Sequence, residues 1–402
     1  MGSVVSLVAA HVCSMLGFST FAALLPQLRD AWSLSNSQAG VVGSMFFAGY
    51  IASVSHWTAF TDRADARKVY AVASLVAAAA SAAFGWLGNG FASALVFQAL
   101  LGAGIAGTYM PGLRLLSDRV SGPRQSRAIA FYTASFGIGT ALSFALAGAV
   151  SSRAGWHMAF RAASAGPLVS AALVLSLRPV PRADPPPRIA PLLPFAAWRS
   201  ILRRRDVVGY VVGYAVHCLE LFGSRGWVVA FLAFADTLRP AAARLAWSPQ
   251  SIAAAVNLLS VPSSILGNEV AIHVGRRRWI LLAMGASGAT GVVLGMSAPG
   301  AWPLVFALLA VYSMLVMAES ATLTAGVVAA APADLRGAAL GLYSLAGFGG
   351  GLLGPVLFGA ALDLAGGAGN RIAWVAGYAA IGSGCLAAPA VARWFARSRS
   401  AP

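Results

Sequence analysis

Apolar residues run along this chain in blocks of about twenty or more, each closed by a short cluster of Arg, Asp, Pro or Gly. A helix crossing a bilayer needs about 20 such residues, because lipid offers its backbone no hydrogen bonds. Twelve blocks fit: 4–26, 37–60, 69–87, 92–116, 127–150, 157–177, 207–233, 249–271, 278–298, 302–330, 337–363 and 371–395. The pattern predicts an all-α membrane protein with twelve transmembrane helices.

The rhythm breaks once, between the sixth and seventh blocks, at "RPVPRADPPPRIAPLLPFAAWRSILRRRD". Rich in Pro and Arg, this stretch reads as a cytoplasmic linker. It separates an expected first six-helix bundle at 1–177 from a second at 207–402, with the linker at 178–206. The halves echo each other. Pro123 and Arg127 before the fifth helix match Pro332 and Arg336 before the eleventh, and Arg67 and Lys68 after the second match "HVGRRR", 273–278, after the eighth. Such echoes predict two pseudo-symmetric bundles, a recognised transporter plan.

Composition agrees. Of 402 residues, 58% are hydrophobic, and mean hydropathy is +0.75, above the roughly 45–50% apolar usage of soluble domains. The net charge of +16 does not point to nucleic acid, because the arginines are dispersed among short loops instead of forming one soluble basic face. They follow the positive-inside rule: with both termini cytoplasmic, 21 of the 28 basic residues lie in inner segments and 6 outside. A plasma (inner) membrane protein is expected, its inner loops meeting anionic lipids. Cys13, Cys218 and Cys385 lie far apart within apolar blocks, without metal-ligand spacing, so no metal and no cofactor are expected. The first block has no basic n-region or cleavage site and reads as a retained helix, and "MGSVVS" matches the myristoylation pattern by chance.

Between the second and third blocks stands "TDRADARK", five charges in eight residues. Topology needs only its bases, yet it carries two acids. The spacing of Asp62, Arg63, Arg67 and Lys68 resembles the signature after helix two of the major facilitator superfamily, with Thr58 and Asp65 where that pattern has glycine. The resemblance extends over essentially the whole chain. It implies two six-helix bundles and alternating access, with Asp62 facing the start of helix eleven as a cytoplasmic latch, and Asp118 and Arg119 as further partners. In the second half Asn268 and Ile272 replace the motif glycine and acid, leaving Glu269 as a substitute. Antiporter-type patterns are missing: Ser143 and Phe144 stand where helix five would carry Gly-Pro, and Gln98 where helix four would carry Arg.

Ionisable residues at membrane depth are costly and are functional candidates. Helix seven holds His217 and Glu220, three apart and so on one face, and Arg225 further out; helix ten holds Glu319. As the resemblance implies that helices one, four, seven and ten line a central cavity, two carboxylates facing it can hold a proton between them. The alternative is a carboxylate locked to Arg225 or His217 for packing. His11, Tyr109 and Arg114 are candidates in the first half, and Tyr214 in the second; Thr108, Tyr210 and Trp227 are further polar or stacking groups. Arg114 at the cavity would favour an anionic substrate; otherwise it snorkels.

The expected function is secondary active transport of a small organic solute coupled to protons, by a monomer that binds no nucleic acid. Efflux of an amphipathic compound, uptake of an organic anion, and a non-transporting scaffold or sensor remain open. No Walker A loop is present. An integral membrane transferase would need an acidic metal-holding cluster, and the only close acidic pair, Asp62 and Asp65, is interleaved with bases.

Overall fold

The computed structural model describes residues 2–121, 123–180, 195–332 and 335–397. Within them the chain is all helical. The first span, Gly2–Ala31, is made of α1 (Gly2–Ser14) and α2 (Thr20–Ala31), separated by a single 3-10 turn at Met15–Gly17. There follow α3 (Asn36–Arg63), α4 (Ala66–Leu87), α5 (Phe91–Ser117) and α6 (Pro123–Leu175).

Helix α6 has 53 residues, about 80 Å at 1.5 Å per residue, far more than the ~30 Å hydrocarbon core. It crosses twice. Gly155, at φ 77° and ψ 171°, breaks it, a left-handed conformation that glycine adopts at little cost. Eleven continuous helical stretches are long and apolar enough to span, and this break makes twelve crossings of them.

The expected linker contains a short helix. Residues 181–194 lie outside the described residues, but Phe195–Leu202 forms α7, burying Ile201 and donating Trp198 Nε1 to Ala338 O at 3.1 Å. The remaining helices are α8 (Arg205–Thr237), α9 (Pro249–Val274), α10 (Arg276–Met296), α11 (Trp302–Ala318), α12 (Ser320–Ala330), α13 (Arg336–Leu364) and α14 (Arg371–Arg397). α11 and α12 share one span, Trp302–Ala330.

The chain groups into two compact units. The first comprises Met1–Ser33, Met45–Leu193 and Trp247–Leu258; the second comprises Leu34–Ser44, Pro194–Ala246 and Leu259–Pro402. The first turns of α3 and α9 therefore group apart from the rest of their helices, which a division at 177 and 207 does not anticipate.

In the first unit α4 packs on α5 and α6, and α1 packs on α6. In the second, α8 packs on α13 and α10 on α14. The glycine-rich run of α13 explains its pairing: a methyl at Gly350 would collide with Ala215 O of α8, so the helices meet backbone to backbone.

Asp363, in the last turn of α13, closes the start of α3 within the second unit. Its Oδ1 accepts from Asn36 N (3.2 Å) and Nδ2 (2.7 Å), and its Oδ2 from Ser37 N (2.7 Å) and Oγ (2.6 Å). A helix start carries unpaired N–H groups and partial positive charge, so a carboxylate there satisfies both. Asp363→Ala should cost roughly 1 to 2 kcal/mol, seen as a lower melting temperature of the purified protein in detergent, with Asp363→Asn between it and wild type. An unchanged melting temperature for both would refute the assignment.

Candidate functional site

Glu319 sits at the break between α11 and α12. Interrupting a helix at membrane depth frees backbone groups that need partners, and neighbouring helices supply them. Trp279 Nε1 of α10 donates to Ala318 O at 3.1 Å, and Ala321 N donates to Ser264 Oγ of α9 at 3.2 Å. Gly267 lets α9 approach, since a methyl there would strike Ala318 O.

From this break the Glu319 carboxyl reaches α8. Its Oε1 lies 3.0 Å from His217 Nδ1, with both side chains almost fully buried (0% and 1% exposed). Its Oε2 is buried without a hydrogen-bond partner, as is Thr322 Oγ1 one turn on. Tyr214 stacks on His217 at 5.7 Å and on Tyr343 at 3.9 Å, and the Tyr343 hydroxyl lies 3.0 Å from Thr324 Oγ1.

Glu220 faces other partners. Its Oε2 accepts from Ser287 Oγ of α10 at 2.7 Å and from Cys385 Sγ of α14 at 3.1 Å, while Oε1 is buried without a partner. Although His217 and Glu220 are three residues apart, they therefore meet different helices, and Glu220 is locked to neither His217 nor Arg225. Arg225 is half-buried, with Nη2 3.8 Å from Met317 Sδ. Trp227 is fully buried, stacked on Phe358 at 5.5 Å and donating to Pro355 O at 3.0 Å, so it packs and does not present a face to solute.

The first unit carries a neutral network. His11 Nδ1 lies 2.7 Å from Ser135 Oγ, which lies 2.5 Å from Tyr132 O. The Ser135 hydroxyl has one hydrogen and two acceptors in reach, Tyr132 O and His11 Nδ1. His11 Nε2 is buried and without a hydrogen-bond partner. The ring stacks on Tyr132 at 4.6 Å and tilts against Tyr109 at 5.4 Å. Tyr132 donates to Thr108 O at 2.9 Å, and the Tyr109 hydroxyl lies 3.5 Å from Thr133 Oγ1. Arg114 Nη1 reaches Thr61 Oγ1 at 3.4 Å.

The first span has its own break, and the residue that serves it is Ser143. Its hydroxyl donates to Leu16 O at 2.7 Å and accepts from Ser19 N at 2.9 Å. Ser143, Ser264 and Trp279 were not sequence candidates. The available signal was a small hydroxyl residue for the two serines and a lone indole for Trp279, each too common in apolar helices to single them out.

In the charged loop, Asp65 is the N-cap of α4, accepting from Arg67 N at 2.9 Å. It also holds the Arg67 guanidinium through Nη2 at 2.6 Å and Nε at 3.1 Å. Arg67 donates onward to Leu177 O, and Arg119 donates to Leu115 O (2.9 Å) and Arg178 O (2.7 Å). Guanidinium groups thus close carbonyls at and beyond the end of α6. Asp118 caps the end of α5, Arg63 ends α3 and Lys68 lies in the first turn of α4. Glu269 is exposed near the end of α9. The Asp62 side chain lies outside the described residues.

Twelve crossings in two units, with spans broken at ionisable or hydroxyl residues, define a polytopic α-helical membrane protein. The profile of the Major Facilitator Superfamily matches residues 7–237, and the chain belongs to that superfamily, whose members are transporters and not enzymes. A protein named "Probable 4-methylmuconolactone transporter" from Cupriavidus pinatubonensis (strain JMP 134 / LMG 1197) is 27% identical over 164 residues, 39% of this chain and 37% of that relative. This chain thus aligns with little more than a third of that relative's length. Among solved structures, a bacterial homologue of the human lysosomal transporter Spinster superposes with a TM-score of 0.75 at 18% identity, covering 99% of this chain and 96% of that one. The nucleoside transporter NupG gives 0.77 at 14%, covering 95% and 99%. At these identities the likeness is one of fold.

The Asp65 geometry yields a test. The Arg67 hydrogen bond holds its carboxyl below the ordinary value of 3.8, against the opposing effect of burial. A depressed acid stabilises the fold above its unfolded value, and that contribution is lost as pH falls through the folded value. Asp65→Ala should therefore cost about 1 kcal/mol at pH 7, with the gap from wild type closing only below the ordinary value, in thermal melts from pH 7 to 3. A gap that closes between pH 7 and 5 would contradict this.

Proposed function

We infer that this protein is a proton-coupled secondary transporter that moves a small organic solute by alternating access, with the Glu319–His217 pair as its proton site. One observation carries the reading: the 3.0 Å contact between two nearly fully buried ionisable side chains at a helix break. As a carboxylate with a neutral imidazole the pair has charge −1; one added proton makes it neutral, as an ion pair or as two uncharged groups. A dry site disfavours net charge, so gain and loss of that proton are tied to exclusion and entry of water.

Glu220, bonded to a hydroxyl and a thiol on two packed helices, serves to anchor them. The relative named for a lactone supports a small organic solute as cargo. The 21-to-6 distribution of basic residues supports cytoplasmic termini in a plasma (inner) membrane with anionic inner lipids, and a monomer carries all the groups the reading needs. The charged loop then lies on the cytoplasmic side, where Asp62 would latch the inner face.

The test is transport in proteoliposomes. Glu319→Gln should abolish accumulation driven by a pH gradient, at least tenfold, while solute exchange across the same membranes continues; Glu220→Gln should lower stability and keep coupling. Full uphill transport by Glu319→Gln would overturn the proton assignment.

A further inference from the structure

Among the described residues of the second unit, Arg225 is a guanidinium within an apolar span that no acid explains. It lies twelve residues before the end of α8 at Thr237, about 18 Å along the helix, within the apolar part of the span. A guanidinium stays charged at neutral pH and carries five N–H donors in a planar fork. Among the described residues no carboxylate lies within 4.0 Å of it, and its hydrogen-bond partner is the Met317 thioether at 3.8 Å, a weak acceptor. The two acids at similar depth in this unit are engaged elsewhere: Glu319 with His217, Glu220 with Ser287 and Cys385.

Such a charge is expensive in a membrane and is expected to be paired or to meet a ligand. A structural role asks for an acid or several backbone carbonyls, and a thioether supplies neither. Met317 is two residues before Glu319 in the same broken span, so the unmatched cation and the proton pair are held by the same two spans. We propose that Arg225 is the anchor for the carboxylate of the transported solute, making the substrate class small organic monocarboxylates. This deepens, and rests on, the transport reading above. A carboxylate matches the guanidinium fork through two parallel hydrogen bonds. A phosphate, with more charge and more acceptors, would need donors beyond this single side chain.

The experiment uses purified full-length protein and a defined panel: butyrate, hexanoate, benzoate and phenylacetate, each beside its uncharged amide, with binding read by isothermal titration in detergent. At least one acid should bind wild type at least tenfold more tightly than its amide. Arg225→Gln should weaken that acid about tenfold to hundredfold and weaken its amide by much less, with an unchanged melting temperature reporting an intact fold. Arg225→Lys, which keeps charge but loses the fork, should fall between. Glu319→Gln should still bind the acid. If no acid outbinds its amide, or if Arg225→Gln binds the acid undiminished, the proposal is overturned. If instead Arg225→Gln loses the acid while Glu319→Gln still accumulates solute uphill, the anion site stands and the proton reading falls.

Discussion

A backbone polar group inside a bilayer has no water to turn to, and the rest of this structure follows from that constraint. Most of the described helices obey it by staying whole. Among the described residues two spans do not, and each break brings its partners from a neighbour: Ser143 serves Leu16 O and Ser19 N, and Trp279 and Ser264 serve Ala318 O and Ala321 N. The breaks are where membrane-depth chemistry collects. Glu319 occupies one, and His11 lies about one turn before the other.

Charges sort by depth. At helix ends they serve the helices themselves: Asp65 caps α4, Asp363 closes α3, and Arg67 and Arg119 take carbonyls at and beyond the end of α6. Each pairing sets a carboxylate at a helix start or a guanidinium at a helix end, as the helix dipole favours. At depth the units diverge. The first builds an uncharged network around His11, Ser135 and Tyr132, while the second holds Glu220, Glu319, His217 and Arg225. A shared architecture thus carries unequal chemistry, with these buried ionisable side chains gathered in the second unit.

Much of the fold was legible in the chain, because hydropathy over twenty residues is a local property. Even the reversal inside the long fifth-to-sixth helix was placed, since Gly155 lies between two apolar blocks. The family, too, was readable from the spacing of Asp62, Arg63, Arg67 and Lys68. The helix Phe195–Leu202 was not, because its stability comes from Ile201 and Trp198 docking on distant residues. Nor was the role of Asp65: it replaces a glycine of the motif, yet capping depends on the backbone turn at that residue (φ −55°, ψ 119°).

By itself, the sequence determined the number of crossings and the short roster of ionisable residues in apolar spans, both set by composition over one helix length, and the superfamily, set by motif spacing. Only the tertiary structure decided their partners. His217 and Glu220 share a helix face by spacing, but a face three residues wide meets two neighbours, so one pairs with Glu319 and the other with Ser287 and Cys385. Partnership at that scale depends on which helices lie alongside, a property of packing that no local pattern encodes.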